Sequence, residues 1–183
     1  MEFVILGLLM VRDQTLYQLK KAFEDTIALF YSASFGSLSA AIGKLVAKQW
    51  IVMEQKFDNG RNKKIYAITP TGTAAFQDWL SSPIPNEKVK DPALTRLFFM
   101  GDLDPHQRIT VIETHIATLE AMYAALELLE KQAETLVIPA AYQERAAFQK
   151  LTLRYGSDYY AFSIDWFKRL LITLQEQDHD RNF

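Results

Sequence analysis

The first part of the chain alternates short helical patterns of hydrophobic residues with polar breaks. Residues 3–11 are apolar almost throughout and predict a buried first helix. Thr15 is a suitable N-cap for a second helix, because the residues after it place apolar side chains on one helical face. The residues of that face are Leu16, Leu19 and Phe23.

A third helix is predicted to begin after Ser34, which is a suitable N-cap. Its apolar positions recur every three or four residues at Leu38, Ile42, Leu45 and Gln49, with Val46 beside them. The opposite face is small and polar, and consists of Ser37, Ser39, Ala40, Gly43, Lys44, Ala47 and Lys48. Small side chains let a helix approach a DNA groove closely, and hydroxyl and ammonium groups can meet base edges and phosphates. This face is therefore a candidate DNA-reading surface.

A β-hairpin is predicted next, from two short runs of β-branched and aromatic residues at positions 51–55 and 65–68. Asn59 and Gly60 lie between the runs and form the sequence pair most typical of a tight hairpin turn. Thr69 and Pro70 then begin a further helix, which runs to Leu80. Three helices followed by a two-stranded hairpin form a winged helix-turn-helix.

Positive charge is concentrated in this winged helix, although the whole chain has a formal net charge of −2. Between positions 44 and 64 the acids are Glu54 and Asp58, and the cations are Lys44, Lys48, Lys56, Arg61, Lys63 and Lys64. Such a patch on an otherwise mildly acidic protein fits a polyanionic partner. A solvated hairpin without a partner is the alternative reading of the same charges.

The chain is predicted to divide at "SSPIPNEKVKDP", where prolines and polar residues interrupt any helical period. We therefore expect a winged helix-turn-helix domain over residues 1–80, a linker over 81–92 and a helical domain over 93–183. The complete fold prediction is mainly α, with three helices and a β-hairpin wing followed by a long-helix antiparallel dimerisation domain.

Two long helices are predicted in the second half. Asp104 and Pro105 give a strong helix start, and neither Pro nor Gly follows before Leu136. The apolar residues of this first helix form a coiled-coil-like seam of Ile109, Ile112, Ile116, Leu119, Tyr123 and Leu126. A second helix after Pro139 carries Phe148, Leu151, Tyr155, Tyr159, Phe162 and Trp166 at a similar spacing. Because so small a domain cannot cover both seams, we expect a second copy of the chain to do so.

Several motifs together resemble the PadR family of winged-helix transcriptional regulators. In order, they are "ILGLLM", "YQLKKAFE", "SFGSLSAAIGKLVAKQWI", "GRNKKIYAITPTG" and "FQDWL". Past the linker, "LTRLFFMGDLDP" and "LTLRYGSDYYAFSIDWFKRLL" resemble the helical C-terminal domain of that family and of related virulence activators. The chain departs from the family pattern in two places. Ser39 and Ala40 stand where the family usually has Tyr-Pro, so no contact from that tyrosine carries over, and Leu16 stands where it usually has Gly.

The patterns and the resemblance together predict a homodimeric transcriptional regulator, more specifically a repressor, that binds a palindromic double-stranded DNA operator. The residues expected to face the groove are Ser37, Ser39, Ala40 and Lys44, and those expected to contact phosphates are Lys48, Arg61, Lys63 and Lys64. The alternative is a winged-helix module that binds an acidic protein surface and no DNA.

The aromatic run in the last helix suggests two roles. Because an aromatic stripe at helical spacing is usually core or interface, we assign it first to dimerisation. Since some relatives respond to phenolic or other planar ligands, the resemblance also implies a pocket for a small aromatic effector. Its residues would be Tyr155, Tyr159, Phe162 and Trp166.

Other functions find little support in the residues. The chain has no cysteine, which excludes disulfides and thiolate metal sites and suits a reducing cytosol. Its three histidines are scattered, and no nucleophile or phosphate-binding glycine motif occurs. The apolar start is too short to span a bilayer. We therefore expect a cytoplasmic, nucleoid-associated protein with no enzyme activity, no cofactor, no metal and no membrane partner.

Overall fold

The computed structural model describes residues 1–27, 34–58, 61–86 and 91–181, and separates the chain into two compact units, Met1–Glu87 and Lys88–Phe183. The elements of the first unit are α1 (Glu2–Leu9), β1 (Gln14–Thr15), α2 (Leu16–Thr26), α3 (Phe35–Ala47), β2 (Ile51–Asp58), β3 (Arg61–Ile68) and α4 (Pro70–Ser81). This unit is the predicted winged helix-turn-helix.

The second unit consists of helices in its described part. Its elements are α5 (Pro92–Phe99), a short 3-10 helix (Met100–Asp102), α6 (Pro105–Glu134), a second 3-10 helix (Ala140–Tyr142) and α7 (Gln143–Arg181). The predicted long helices are confirmed, and α7 extends over 39 residues. Helix α5 begins at Pro92, behind an Asp91 cap, and α4 continues to Ser81. The first and last residues of the expected linker therefore belong to helices.

The helix starts follow the capping residues in the sequence. The Thr15 hydroxyl oxygen accepts a hydrogen bond from the Gln18 backbone N–H, and the Gln18 side chain accepts one from the Thr15 N–H. The side chains of Thr69 and Asp104 cap α4 and α6 by accepting a hydrogen bond from the backbone N–H of Gly72 and of Gln107, and each helix has proline in its first position. Each cap satisfies backbone donors that would otherwise lack a partner, which fixes where the helix begins.

The sheet of the first unit differs from the prediction in extent. Its strands are ordered β1-β3-β2, and the hairpin strands continue to Asp58 and from Arg61. The short strand β1 was not predicted, and pairs Gln14 with Tyr66 and Thr15 with Ile65. The first helix ends at Leu9 rather than at Val11. Gln49, expected on the apolar face of α3, lies beyond the end of that helix with a positive φ of 57°.

A closely packed core joins α1, α2, α3 and β2. Its buried residues are Ile5, Leu6, Leu9, Leu19, Leu38, Ala41, Ile42, Leu45 and Ile51. All four predicted elements contribute to the core, and Leu19, Leu38, Ile42 and Leu45 are buried as the periodicity predicted. The prediction was wrong for Val46, which was placed beside the apolar face of α3 but is 41% exposed. Burial of each large aliphatic side chain contributes roughly 1.5 to 3 kcal/mol of transfer free energy.

The turn between α3 and β2 is held by the start of α4. The Thr69 hydroxyl donates to the backbone oxygens of Gln49 and Trp50 at 2.8 and 3.0 Å, and the Thr71 hydroxyl donates to the Gln49 oxygen. Gly72 lies so close to this turn that an added Cβ would be 2.0 Å from the Trp50 oxygen. The relative position of α3 and the hairpin is therefore fixed by backbone contacts.

Helices α6 and α7 pack antiparallel along each other. Lys168 of α7 pairs with Glu120 at 2.6 Å, and further along the Ser157 hydroxyl donates to Glu130 Oε1 at 2.9 Å. The buried residues of the predicted α6 seam are Ile112, Ile116, Leu119 and Leu126. In the single chain this seam packs against α7, so it is not the surface left for a second copy, contrary to our expectation.

Candidate nucleic-acid interface

The exposed face of α3 contains the residues predicted to read DNA. Ser39, Ala40 and Lys44 are all exposed, together with Gly43 and Ala47. The buried residues of α3 hold the opposite face against the core. This face of α3 therefore has small side chains apart from Lys44. Such a face can approach the base edges of a major groove closely.

Ser37 has a structural task at the start of the same helix. Its hydroxyl oxygen accepts a hydrogen bond from the Ser34 N–H at 3.0 Å and donates to the Ser34 carbonyl at 2.8 Å. The Ser34 hydroxyl in turn accepts from the Ser37 N–H at 3.1 Å, which completes a capping box. Ser37 is exposed, but its hydroxyl proton is already used within the cap.

Lys48 already has partners within the chain. Its ammonium group lies 2.7 Å from Glu2 Oε2 at the start of α1, and 4.4 Å from the centre of the Trp50 ring. Both side chains of the ion pair remain partly exposed, so solvent weakens their attraction. Glu2 thus adjoins the candidate interface through its ion pair with Lys48, which the sequence patterns did not indicate.

The hairpin presents cations on both of its faces. Lys63 pairs with Lys56 across the strands, whereas its neighbour Lys64 pairs with Gln55. Because successive side chains of a strand point to opposite faces, Lys63 and Lys64 lie on different sides of the wing. The backbone of Arg61 pairs with Asp58, but the side chain of Arg61 lies outside the described part of the structure.

The aromatic stripe of α7 faces outward in the single chain. Tyr155 and Phe162 expose 76% and 64% of their surface, and Tyr159 and Trp166 are also well exposed. Phe148 and Leu151 continue this surface toward the start of the helix. The α6-facing side of α7 is instead formed by residues such as Tyr160, Ile164 and Phe167. Thus α7 has two apolar faces, and one of them is uncovered in the single chain.

No cluster of three or more His, Cys, Asp or Glu residues suitable for a metal ion occurs among residues 1–27, 34–58, 61–86 and 91–181. None of the helices in that part of the chain combines the length and the hydropathy needed to cross a bilayer.

Two family models match the two units in succession. The model of the transcriptional regulator PadR-like family matches residues 5–78, and the model of the virulence activator alpha C-terminal domain matches residues 89–175. Residues 5–78 thus form a PadR-like domain. This confirms the resemblance seen in the motifs, and makes the protein a transcriptional regulator of the winged-helix, DNA-binding type.

Two transcriptional regulators are similar to this protein over most of the chain. The negative transcriptional regulator PadR of Bacillus subtilis is 25% identical over 130 residues, covering 69% of this chain and 71% of PadR. The probable transcriptional regulator Rv1176c of Mycobacterium tuberculosis is 25% identical over 175 residues, covering 88% of this chain and 90% of its own.

Solved structures of PadR and of a virulence activator share the fold. The crystal structure of B. subtilis PadR with operator DNA has a TM-score of 0.82 at 20% identity, covering 94% of this chain and 98% of that chain. The structure of the same protein with p-coumaric acid has a TM-score of 0.77 at 21% identity, covering 95% and 94%. The Vibrio cholerae virulence activator AphA has a TM-score of 0.76 at 21% identity, covering 96% and 98%.

Proposed function

We propose that this PadR-like protein is a transcriptional repressor that binds a two-fold symmetric operator as a homodimer. In each protomer α3 enters a major groove, and the wing contacts the flanking phosphates. The observation that carries the proposal is the exposed face of α3, on which small residues surround Lys44 beside a hairpin with cations on both faces. The repressor role follows the negative regulator PadR of B. subtilis, which has been crystallised with operator DNA.

The residues of this interface have distinct tasks in the proposal. Ser39 and Ala40 lie against base edges, and Lys44 reaches a base or a phosphate. Lys63 contacts one phosphate strand together with Lys56 and Arg61, and Lys64 contacts phosphates from the other face of the wing. Ser37 contributes mainly by fixing the start of α3, because its hydroxyl closes the cap. Lys48 contacts a phosphate only after its ion pair with Glu2 has broken.

The proposed dimer uses the uncovered face of α7. Phe148, Leu151, Tyr155, Tyr159, Phe162 and Trp166 form a continuous stripe that has no cover in the single chain. A large exposed apolar surface of this kind marks an interaction site, and a symmetric pairing of α7 with the same helix of a second copy would bury it. The dimer would also present two copies of α3 to two half-sites.

A small aromatic effector is the proposed release signal. Tyr155, Tyr159, Phe162 and Trp166 offer ring faces and hydroxyl groups, which suit a planar phenolic ligand once a second copy encloses them. The p-coumaric acid bound by B. subtilis PadR is a compound of this class. We assign the protein no catalytic step and no cofactor, and place its action at the nucleoid in the cytoplasm.

DNA binding can be tested with an operator selected by the purified protein from a library of random duplexes. Lys44→Ala and Lys63→Ala should each weaken binding, and Lys63→Ala should reduce the dependence of log K on log salt by about one per protomer. Lys150→Ala removes the same charge from α7 and should change neither quantity. Failure of the wild-type protein to retain any duplex at low salt would contradict the proposal, and would favour a module that binds an acidic protein surface.

A further inference from the structure

We propose that the hollow between the start of α1 and the exposed face of α3 selects thymine in the DNA major groove, with Ala40 as the residue that contacts the thymine methyl group. Lys44, which also lines the hollow, would donate a hydrogen bond to thymine O4. This inference rests on the proposed DNA binding, and adds to it the base that the site recognises. It also gives α1, which lies outside the helix expected to read DNA, a part in forming the site.

A hollow of about 480 Å³ lies beside the exposed face of α3. Its lining residues come from the start of α1 and from one side of α3, and are Met1, Glu2, Phe3, Ser37, Ala40, Ala41 and Lys44. The four α3 residues are three or four positions apart, so they follow one edge of the helix. Because Ala40 and Lys44 are also exposed residues of the candidate DNA-reading face, a base that meets this face would present its edge to the hollow.

The apolar part of the lining is held in place before DNA binds. Ala41 is buried against the core of the first unit, whereas Ala40 is exposed beside it. The ring of Phe3 stacks on Trp79 with ring centres 4.9 Å apart, and lies 6.0 Å from the centre of the Trp50 ring. A ring that is packed against two others does not have to be ordered when a base arrives, which lowers the cost of binding.

The polar groups of the lining differ in the partners that they already have. Glu2 Oε2 lies 2.7 Å from the Lys48 ammonium group, and the hydroxyl proton of Ser37 is donated to the Ser34 carbonyl. Lys44 takes part in no ion pair among the residues that the structure describes. The hollow therefore offers DNA an ammonium donor next to an apolar wall.

Thymine presents the complementary pattern in the major groove. Its edge carries the O4 acceptor and, beside it, the C5 methyl group, which alanine can contact. Guanine offers acceptors without a methyl group. Cytosine and adenine each present an amino group, to which an ammonium group cannot donate. The apolar wall and the ammonium group together thus favour thymine over the other three bases.

Replacing thymine with uracil tests this contact, because the change removes only the methyl group. In an operator selected from random duplexes, the thymines of a half-site are replaced one at a time. Wild-type affinity should fall about fourfold at one of these positions, as expected for the loss of one buried methyl contact. Ala40→Gly should bind the thymine and uracil operators equally well at that position. The two affinities are compared within one variant, so a change in the stability of the variant does not alter their ratio.

Ala47→Gly is the matched control. It makes the same substitution on the exposed face of α3, at a residue that does not line the hollow. It should keep the wild-type ratio of the two affinities. Lys44→Ala should weaken binding to both operators and also keep the ratio, because the methyl contact remains.

Cytosine in place of the same thymine separates the methyl group from the base that carries it. The change removes the methyl group and puts an amino donor where O4 was, so it should weaken wild-type binding more than uracil does. Using 5-methylcytosine instead restores the methyl group alone, and should recover about fourfold of the lost affinity for the wild-type protein. Ala40→Gly should not distinguish cytosine from 5-methylcytosine.

Two outcomes overturn the inference while leaving DNA binding intact. One is a wild-type protein that binds every uracil operator as tightly as the thymine operator. The other is an Ala40→Gly variant that keeps the wild-type ratio at the sensitive position. If the wild-type protein retains no duplex at low salt, the proposed function itself fails.

Discussion

The two units of the chain cover their large apolar side chains to very different extents. In the first unit, Ile5, Leu6, Leu19 and Leu45 are completely buried, in a core built from α1, α2, α3 and β2. In the second unit, α6 and α7 bury one seam between them, while the aromatic stripe of α7 remains outside. The first unit thus completes its own core, whereas the second has an apolar face that only association can cover.

Phe162→Glu should have the largest effect of these substitutions, because it makes the outer face of α7 polar and so weakens the proposed dimer. In a symmetric dimer the change places two carboxylates in an apolar contact, and a buried charge without a partner is costly. We expect the dimer dissociation constant to rise about a thousandfold, equivalent to roughly 4 kcal/mol. Sedimentation velocity measures this dissociation constant. Operator affinity should fall as the dimer weakens.

The neighbouring substitution Ala161→Glu is the matched control, because residue 161 is exposed and lies beside the stripe rather than on it. It should leave the protein dimeric. Equal dissociation by both variants, or by neither, would contradict the assignment of the stripe to the dimer.

Gly72→Ala tests the first unit, which should depend on internal packing alone. An added methyl group would overlap the Trp50 carbonyl oxygen, and neither backbone can move without breaking the Thr69 hydrogen bonds. The free energy of unfolding should fall by about 3 kcal/mol. Urea unfolding followed by the fluorescence of Trp50 and Trp79 reports on this unit.

Gly43→Ala provides the comparison for that experiment, because an added Cβ at Gly43 meets no atom within 4 Å. Alanine favours a helix over glycine by roughly 1 kcal/mol, so this variant should be slightly more stable than the wild type. If Gly72→Ala proves equally stable, the close approach of α4 to the turn is not a constraint on folding.

Glu2→Gln should have the smallest effect of these substitutions on operator affinity. It changes the charge of the surface that faces DNA in the proposed complex. The change releases Lys48 for a phosphate and removes a negative charge near α3. Because an exposed ion pair contributes at most about 1 kcal/mol, operator affinity should rise by no more than about fivefold.

Glu24→Gln is the control for this release. It breaks the exposed Lys20–Glu24 pair of α2 and makes the same change in net charge. Its effect on affinity should be smaller, and fluorescence anisotropy with labelled operator can resolve the difference. A decrease in affinity for Glu2→Gln would mean instead that Glu2 holds Lys48 in the orientation used for binding.

The sequence predicted those features that depend on local signals. Caps at Thr15, Ser34 and Asp104 located helix starts, and the period of apolar residues in α3 separated its buried face from its exposed one. These features depend on residues three or four positions apart, which a single sequence displays directly.

Features that depend on distant contacts were missed. Strand β1 exists because Gln14 and Thr15 pair with β3 about fifty residues later, and nothing in that dipeptide indicates a strand. Lys56 and Lys63 lay outside the two runs predicted as strands, but the paired strands include them. Glu2 reaches Lys48 only after α1 packs against α3. The apolar seam of α6 could be recognised in the sequence, but its packing against α7 could not, because an apolar stripe does not specify which surface will cover it.

The Thr69–Gly72 contact with the α3–β2 turn has a consequence for the DNA itself. The Thr69 hydroxyl bonds and the close approach of Gly72 to Trp50 hold α3 and the base of the hairpin at a fixed distance from each other. The spacing of the two DNA sites that α3 and the wing contact must then be supplied by the operator. One inserted base pair shifts the second site by about 3.4 Å and rotates it by roughly 35°. Operators of this protein should therefore tolerate base changes far better than changes in length within a half-site.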